Sequence, residues 1–118
     1  EEEEEPVTLN DHFRKAVRDN NVTLAEAFID EGAEINLAEQ GTHATVLITA
    51  CFQNDLNMID MLVSRGAKPN VCDEMLMAPL HYAAAWGYDL VLERLMACGA
   101  DPTLINKEGL TPRDMAEK

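Results

Sequence analysis

The sequence of 118 residues repeats itself with a period of about 33 residues. Three Gly-Ala doublets, Gly32-Ala33, Gly66-Ala67 and Gly99-Ala100, lie at nearly equal intervals, the first interval being one residue longer than the second. Each doublet follows an apolar stretch with the residue spacing of a helix. A period of this length predicts stacked copies of one supersecondary unit, because a single copy cannot bury its own apolar face.

A second set of anchors has the same period. The segments 45–50, 78–83 and 111–116 begin 33 residues apart, which is also the spacing between Gly66 and Gly99. Pro79 and Pro112 fit the first turn of a helix, where no N–H is needed, and Thr111 is a good N-cap. Asp11 is the candidate cap of the first helix. Each Gly of a doublet suits the left-handed position after a helix. Because one helix begins at the Pro segment and another ends at the Gly, each unit is predicted to hold two helices.

These motifs resemble the ankyrin repeat, whose signature T-P-L-H-x-A recurs at about 33 residues. Segment 73–103 matches best, and 40–70 is a degenerate copy with Val46 in place of Pro and Ile48 in place of His. Segment 10–36 lacks the signature. The resemblance implies an all-α solenoid of stacked helix-turn-helix units with projecting β-turn loops.

The alignment divides the chain into five parts. These are an acidic, disordered tail (1–9), an N-terminal capping repeat (10–39), two repeats (40–72 and 73–105) and a partial C-terminal capping repeat (106–118). The longer first spacing predicts an inserted residue in the loop 37–42. Arg113 aligns with Leu47 and Leu80, so it is expected to face solvent, which favours a true cap over a cut through a longer array.

The charge of the chain limits its partners. Twenty-two acidic residues against nine basic ones give a net charge of −13. This disfavours nucleic acid and anionic membranes as partners and favours a basic protein or peptide, although charge of this kind also serves solubility alone. No apolar run reaches a membrane span, and no signal peptide is visible. Three Cys without a C-x-x-C pair predict no zinc site and a reduced intracellular setting, cytoplasmic or nuclear.

No catalytic constellation is visible in the sequence. It lacks a phosphate-binding Gly-rich loop, H-E-x-x-H and G-x-S-x-G, and no nucleophile is paired with a base. The resemblance implies that His81 bonds to turn backbone. We therefore expect a non-enzymatic module without metal or cofactor, monomeric in isolation.

The resemblance places partner binding on the projecting turns and the first helices, with eight candidate residues. They are Asp19, Phe52, Gln53, Glu74, Met75, Met77, Trp86 and Leu110. Trp86 aligns with Gln53 and Asp19, so its position is not a core position. Flanked by Phe52, Met75 and Met77, it would form a binding hot spot. The alternative is that Trp86 packs on Phe52 and only closes the groove between repeats.

Acidic residues near this face have two interpretations. Asp19, Asp55, Asp73, Glu74 and Glu108 either form a rim that attracts Lys and Arg or are ordinary solvated charges. Asp73 has a further possible role, tying its turn together. Residues 1–5, all Glu, are either an acidic arm or a solvated linker.

Asn36 and Asn70 occupy a loop position that, in ankyrin-like proteins, is a substrate for asparagine hydroxylation. The alternative is that each stabilises a turn.

The sequence as a whole indicates an adaptor or scaffold that binds a peptide or protein on its concave face. The competing functions are an acidic chaperone or escort of a basic protein, such as a histone or ribosomal protein, and a targeting module of a larger enzyme or regulator.

Overall fold

The computed structural model describes residues 8–117, which form helices joined by turns without any strand. The helices are α1 (Leu9–Arg18), α2 (Val22–Asp30), α3 (Val46–Phe52), α4 (Leu56–Ser64), α5 (Pro79–Trp86), α6 (Asp89–Ala97) and α7 (Pro112–Ala116). The all-α prediction is confirmed. Within this part of the chain, none of the helices is long and apolar enough to cross a membrane.

The helices stack in two layers. The first helices of the units, α1, α3, α5 and α7, form one layer, and α2, α4 and α6 form the other. The stack measures 48 × 32 × 19 Å. Its core runs between the layers and is made mainly of aliphatic side chains, including Leu47, Leu62, Leu80 and Leu95, each at most 2% exposed. The predicted continuous strip of stacked leucines is therefore present.

The first helix begins earlier than the sequence suggested. Thr8 caps α1: its hydroxyl accepts from the Asp11 N–H at 3.2 Å, and the Asp11 carboxylate accepts from the Thr8 N–H at 3.0 Å. Asp11 is thus the reciprocal partner of the cap rather than the cap itself, and that prediction was wrong. The disordered tail was predicted over 1–9, but Thr8 and Leu9 belong to this helix start, and residues 1–7 lie outside the described residues.

The Gly-Ala doublets close the second helices. Gly66 has φ +101°, a left-handed conformation, and its N–H donates to Val63 O at 3.1 Å. The Ala67 N–H donates to Leu62 O at 2.9 Å. These two bonds form a Schellman motif, in which Gly supplies the backbone angle and the small, buried Ala follows. The same pairs of bonds recur at Gly32 and Gly99, so the doublet prediction is confirmed.

Asparagine side chains join each unit to the next. Asn36 donates to Gly66 O at 3.1 Å and accepts from the Lys68 N–H at 2.8 Å. Asn70 repeats this arrangement with Gly99 O and the Asp101 N–H, at 3.2 and 2.7 Å. Both amides satisfy backbone groups of the following unit, so each has a stabilising role, at the helix end of the next unit rather than in its own turn.

The outer face of α7 is polar, as Arg113 predicted. The Arg113 side chain is 86% exposed and pairs with Glu117 at 3.2 Å. The aligned Leu47 and Leu80 are buried. The charge therefore sits where nothing in the described chain packs against it.

Candidate partner-binding surface

Two projecting turns are built on one hydrogen-bond pattern. In the turn 73–77, Asp73 Oδ1 accepts from the N–H groups of Met75 and Met77 at 2.9 and 3.0 Å. In the turn 106–110, Asn106 Oδ1 accepts from Glu108 and Leu110 at 2.9 and 3.1 Å. A side-chain oxygen at the same repeat position therefore shapes both turns.

The first projecting turn is one residue longer. The Glu39 N–H donates to Ala44 O at 2.9 Å, whereas the Asp73 N–H donates to Met77 O, one residue nearer in sequence, at 3.1 Å. The extra residue lies within 40–43, which agrees with the predicted insertion in the loop 37–42.

Main-chain hydrogen bonds align the three turns. The Glu74 N–H donates to Thr42 O at 2.9 Å, and the Lys107 N–H donates to Met75 O at 3.1 Å. Adjacent turns are thus held side by side, and their tips form one ridge beside the layer of first helices.

Three aromatic side chains, Phe52, Tyr82 and Trp86, form a cluster on α3 and α5. The Phe52 ring meets the Tyr82 and Trp86 rings edge-on, with centroid separations of 6.0 and 5.8 Å. Tyr82 and Trp86 are four residues apart on α5 and so share one face of the helix. Edge-to-face contacts of this kind are favourable for aromatic pairs.

Tyr82 connects the aromatic cluster to the projecting turn. Its hydroxyl donates to Asp73 Oδ2, the second oxygen of the carboxylate that shapes the turn 73–77. Burial, together with this hydrogen bond to a negatively charged group, raises the pKa of Tyr82 well above its ordinary value. The aromatic cluster therefore lies on the side of the layer from which the turns project.

Trp86 and Phe52 keep most of their surface in solvent. They are 57% and 52% exposed although they touch each other. The contact that the sequence offered as an alternative role for Trp86 is present, yet it does not bury the indole. The pair thus presents a large apolar surface to solvent.

Met75 and Met77 belong to a different cluster from the one expected. They line a surface cavity of about 140 Å³, the methionine cavity, between the turns 73–77 and 106–110. The remaining lining residues are Asn106, Lys107, Glu108 and Met115. Met77 lies two residues before Pro79, the first residue of α5, whereas Trp86 is the last residue of that helix, roughly 11 Å from Pro79 along its axis. The expectation that Met75 and Met77 flank Trp86 was therefore wrong.

Among the other predicted site residues, two have polar partners within the protein and two are described by their exposure. Gln53 donates to Arg18 O at 2.7 Å, so it satisfies a carbonyl at the end of α1. Asp19 pairs with Lys15 at 2.6 Å. Glu74 is exposed at a turn tip, and Leu110 is half-buried.

The acidic rim is smaller than the sequence suggested. Asp73 is only 7% exposed and ties its turn, which was the alternative interpretation. Asp55 caps α4 by accepting from the Met58 N–H at 3.2 Å. Glu74 and Glu108 remain exposed on the turn tips.

Leu76 is a surface residue that the sequence prediction missed. It is 47% exposed at a turn tip and has φ +58°, a left-handed conformation that is costly for a branched side chain. The equivalent position of the next unit holds Gly109, with φ +77°. A Leu aligned with a turn glycine was the signal available in the sequence.

His81 has a structural role. Its Nδ1 accepts from the Ala78 N–H at 3.0 Å, and its Nε2 bonds to Leu110 O at 2.9 Å. The ring is fully buried and joins the start of α5 to the turn 106–110. The expected bond to turn backbone is confirmed, and it crosses to the next unit.

Comparison with protein families gives a match over residues 13–106 to the model for ankyrin repeats in three copies. These residues span α2 to α6 completely and most of α1.

Curated relatives share this region. The Dasypus novemcinctus "Ankyrin repeat, SAM and basic leucine zipper domain-containing protein 1" is 30% identical over 128 aligned positions, covering 78% of this chain and 27% of the relative. The protein of the same name from Loxodonta africana is 40% identical over 77 positions, covering 61% of this chain and 16% of the relative. Palmitoyltransferase AKR1 of Candida albicans is 32% identical over 95 positions, covering 80% and 11%. The chain spans less than a third of each of these relatives.

Proposed function

Because this chain belongs to the ankyrin-repeat family, whose repeats are protein–protein interaction modules that are generally non-enzymatic, we propose that it acts as an adaptor. It binds a protein or peptide on the face formed by the projecting turns and the first helices. The observation that carries this proposal is the exposed edge-to-face pair of Phe52 and Trp86.

The aromatic pair is suited to anchor a partner. Trp is enriched among residues that dominate binding energy, and truncating such a residue costs about 2 kcal/mol or more of binding free energy. Phe52 supports the indole from one side, so little side-chain freedom is lost when a partner covers it. Met75 and Leu76, 50% and 47% exposed, add a second apolar patch at the turn tip.

The charge of the chain favours a basic partner. The net charge is −13, and Glu74 and Glu108 stand on the turn tips beside the apolar residues. Charges at the edge of an interface mainly raise the association rate and set the register of the partner. A segment with an apolar anchor flanked by Lys or Arg fits this surface.

The test compares two equally exposed apolar residues on opposite layers. Trp86→Ala is expected to lose most proteins that the wild-type chain captures from a cell lysate, with its melting temperature nearly unchanged. Leu90→Ala, on α6 and 59% exposed, is the matched control and should capture the wild-type set. Equal capture by Trp86→Ala and wild type would reject the proposal, as would a large loss of stability with capture intact.

An acidic escort of a basic protein is the second candidate, favoured by the excess of acidic residues. Held mainly by charge, such a complex should weaken steeply between low and physiological ionic strength, whereas a complex anchored on Trp86 should weaken much less. Deletion of residues 1–5 tests the acidic arm directly, since unchanged affinity would eliminate it.

A role as one module of a larger protein is compatible with both candidates. The relatives named above carry further domains or an enzymatic activity in their names, and this chain covers 27% of one and 11% of another. On this view the repeats select the partner while other regions act on it. The mass of the protein from its native source tests this role.

A further inference from the structure

The projecting turn 106–110 contains a buried amide whose donor is poorly satisfied. Asn106 is only 4% exposed. Its Oδ1 accepts the two turn N–H groups, which fixes the orientation of the amide and points Nδ2 away from the turn. Among residues 8–117, the hydrogen bonds of Nδ2 go to two thioether sulfurs, Met77 Sδ at 3.3 Å and Met115 Sδ at 3.5 Å. Thioether sulfur is a weak acceptor, so both hydrogen bonds of this donor are weaker than bonds to oxygen would be.

In the preceding repeat, the polar side chain at the equivalent position is hydrogen-bonded to an oxygen donor. Asp73 occupies the position equivalent to Asn106, and Tyr82 the position equivalent to Met115. The carboxylate of Asp73 is an acceptor and the Tyr82 hydroxyl supplies the matching donor. In the later repeat the donor Asn106 Nδ2 replaces the acceptor Asp73 Oδ2, and the weak acceptor Met115 Sδ replaces the donor Tyr82 hydroxyl. The later pair is therefore joined by a weaker hydrogen bond than the earlier pair.

The poorly satisfied donor lies beside the methionine cavity. Asn106, Met77 and Met115 all line this space of about 140 Å³. An engineered apolar cavity of about 150 Å³ holds a benzene molecule, so a side chain of moderate size fits. Because Met115 on α7 aligns with Tyr82 on α5, the cavity faces the same side as the aromatic cluster.

The lining selects the chemistry of the occupant. Methionine side chains form an adaptable apolar wall that suits a methylene stem. An oxygen acceptor at the end of that stem is a better partner for Asn106 Nδ2 than sulfur, and Lys and Arg side chains lack such an acceptor. Lys107 and Glu108 place opposite charges in the lining, and the net charge of −13 disfavours a carboxylate.

We propose that the methionine cavity is a subsite for a neutral amide carbonyl on a methylene stem, presented by the partner as a glutamine or an acylated lysine side chain. The carbonyl accepts from Asn106 Nδ2 in place of one of the two sulfurs, and the stem packs against Met77 and Met115. This proposal rests on the proposed function, because the partner delivers the side chain. It adds that recognition includes a neutral polar group besides the aromatic anchor.

Small probes test the subsite without a partner. Butyramide represents glutamine, N-butylacetamide represents acylated lysine, and butylammonium chloride has a similar stem without an acceptor. We expect at least one amide to shift the Asn106 side-chain amide and the Met77 and Met115 methyl NMR resonances saturably, with a roughly millimolar dissociation constant. Which amide binds more tightly identifies the source of the carbonyl. No saturable shift with either amide, or equal shifts with butylammonium, would overturn the proposal.

A double substitution provides the matched variant. Asn106→Asp combined with Met115→Tyr rebuilds the Asp73–Tyr82 pair in the later repeat and fills the cavity. Its melting temperature should equal or exceed that of wild type, while amide binding weakens at least tenfold; unchanged binding by the folded variant would contradict the subsite. If the variant does not fold, the comparison of probes on the wild-type chain decides alone. Trp86→Ala should bind the amides normally, which separates this test from that of the proposed function.

Discussion

Tyr82 holds the projecting turn 73–77 against α5 through its hydrogen bond to Asp73. The other oxygen of the same carboxylate accepts from the N–H groups of Met75 and Met77. One side chain thus joins the backbone of a turn to an aromatic residue that also touches Phe52. This polar connection therefore links the projecting turn to the aromatic cluster.

Tyr82→Phe is expected to destabilise the protein by about 1–2 kcal/mol, because it removes a hydrogen bond to a charged acceptor from a half-buried site. Urea denaturation measures the change. The control is Tyr88→Phe, since the Tyr88 hydroxyl makes no hydrogen bond within residues 8–117 and its loss should be nearly neutral. Equal effects of the two substitutions would show that the Tyr82–Asp73 bond contributes nothing specific.

Leu76→Gly should stabilise the fold by about 0.5–1 kcal/mol, because glycine adopts the left-handed conformation without the cost that a Cβ imposes. Leu76→Ala keeps the strained backbone and should bring no such gain. Thermal unfolding of both variants separates backbone relief from the loss of the leucyl side chain. A loss of stability with Gly would mean that packing of Leu76 outweighs its backbone strain.

Thr45→Val should be neutral or stabilise the fold by up to about 1 kcal/mol. The Thr45 hydroxyl is buried and has no hydrogen-bond partner within residues 8–117, so valine removes an unsatisfied polar atom at nearly constant shape. Thr111 occupies the aligned position two units later, where its hydroxyl accepts from the Asp114 N–H at 3.2 Å. Thr111→Val should therefore cost about 1 kcal/mol. Denaturation curves showing the same sign for both substitutions would contradict this account.

Cys51 should make stability depend on alkaline pH. Burial raises the pKa of its thiol from 9.0 to about 12. Because the unfolded chain ionises at the lower value, its contribution is complete below pH 9 and is lost progressively from pH 9 to about 12. At pH 10 this loss is about 1.4 kcal/mol.

The measurement for Cys51 is the free energy of unfolding at neutral pH and at pH 10, in wild type and in Cys51→Ala. The difference between the two proteins should shrink at the higher pH, because alanine carries no ionisable group. Parallel pH profiles would rule out a buried neutral thiol as the cause.

Much of the local structure could be predicted from adjacent residues. Gly66 with Ala67 indicated a left-handed helix end, and Thr111 with Pro112 indicated a helix start. The alignment also identified Trp86 as a position outside the core, and it is exposed. The start of α1 was misassigned because Thr8 and Asp11 both have capping side chains, and only the reciprocal bonds show which one is the cap.

The sequence by itself determined the repeat period, the helix ends and the all-α class, because these depend on backbone preferences of a few neighbouring residues and on a repeated apolar pattern. Only the tertiary structure decided that Met75 and Met77 meet Met115 across a cavity rather than Trp86, and that Asn106 directs its amide toward sulfur. Such contacts cross from one unit to the next. They depend on how the units pack and rotate against each other, which no short stretch of sequence specifies.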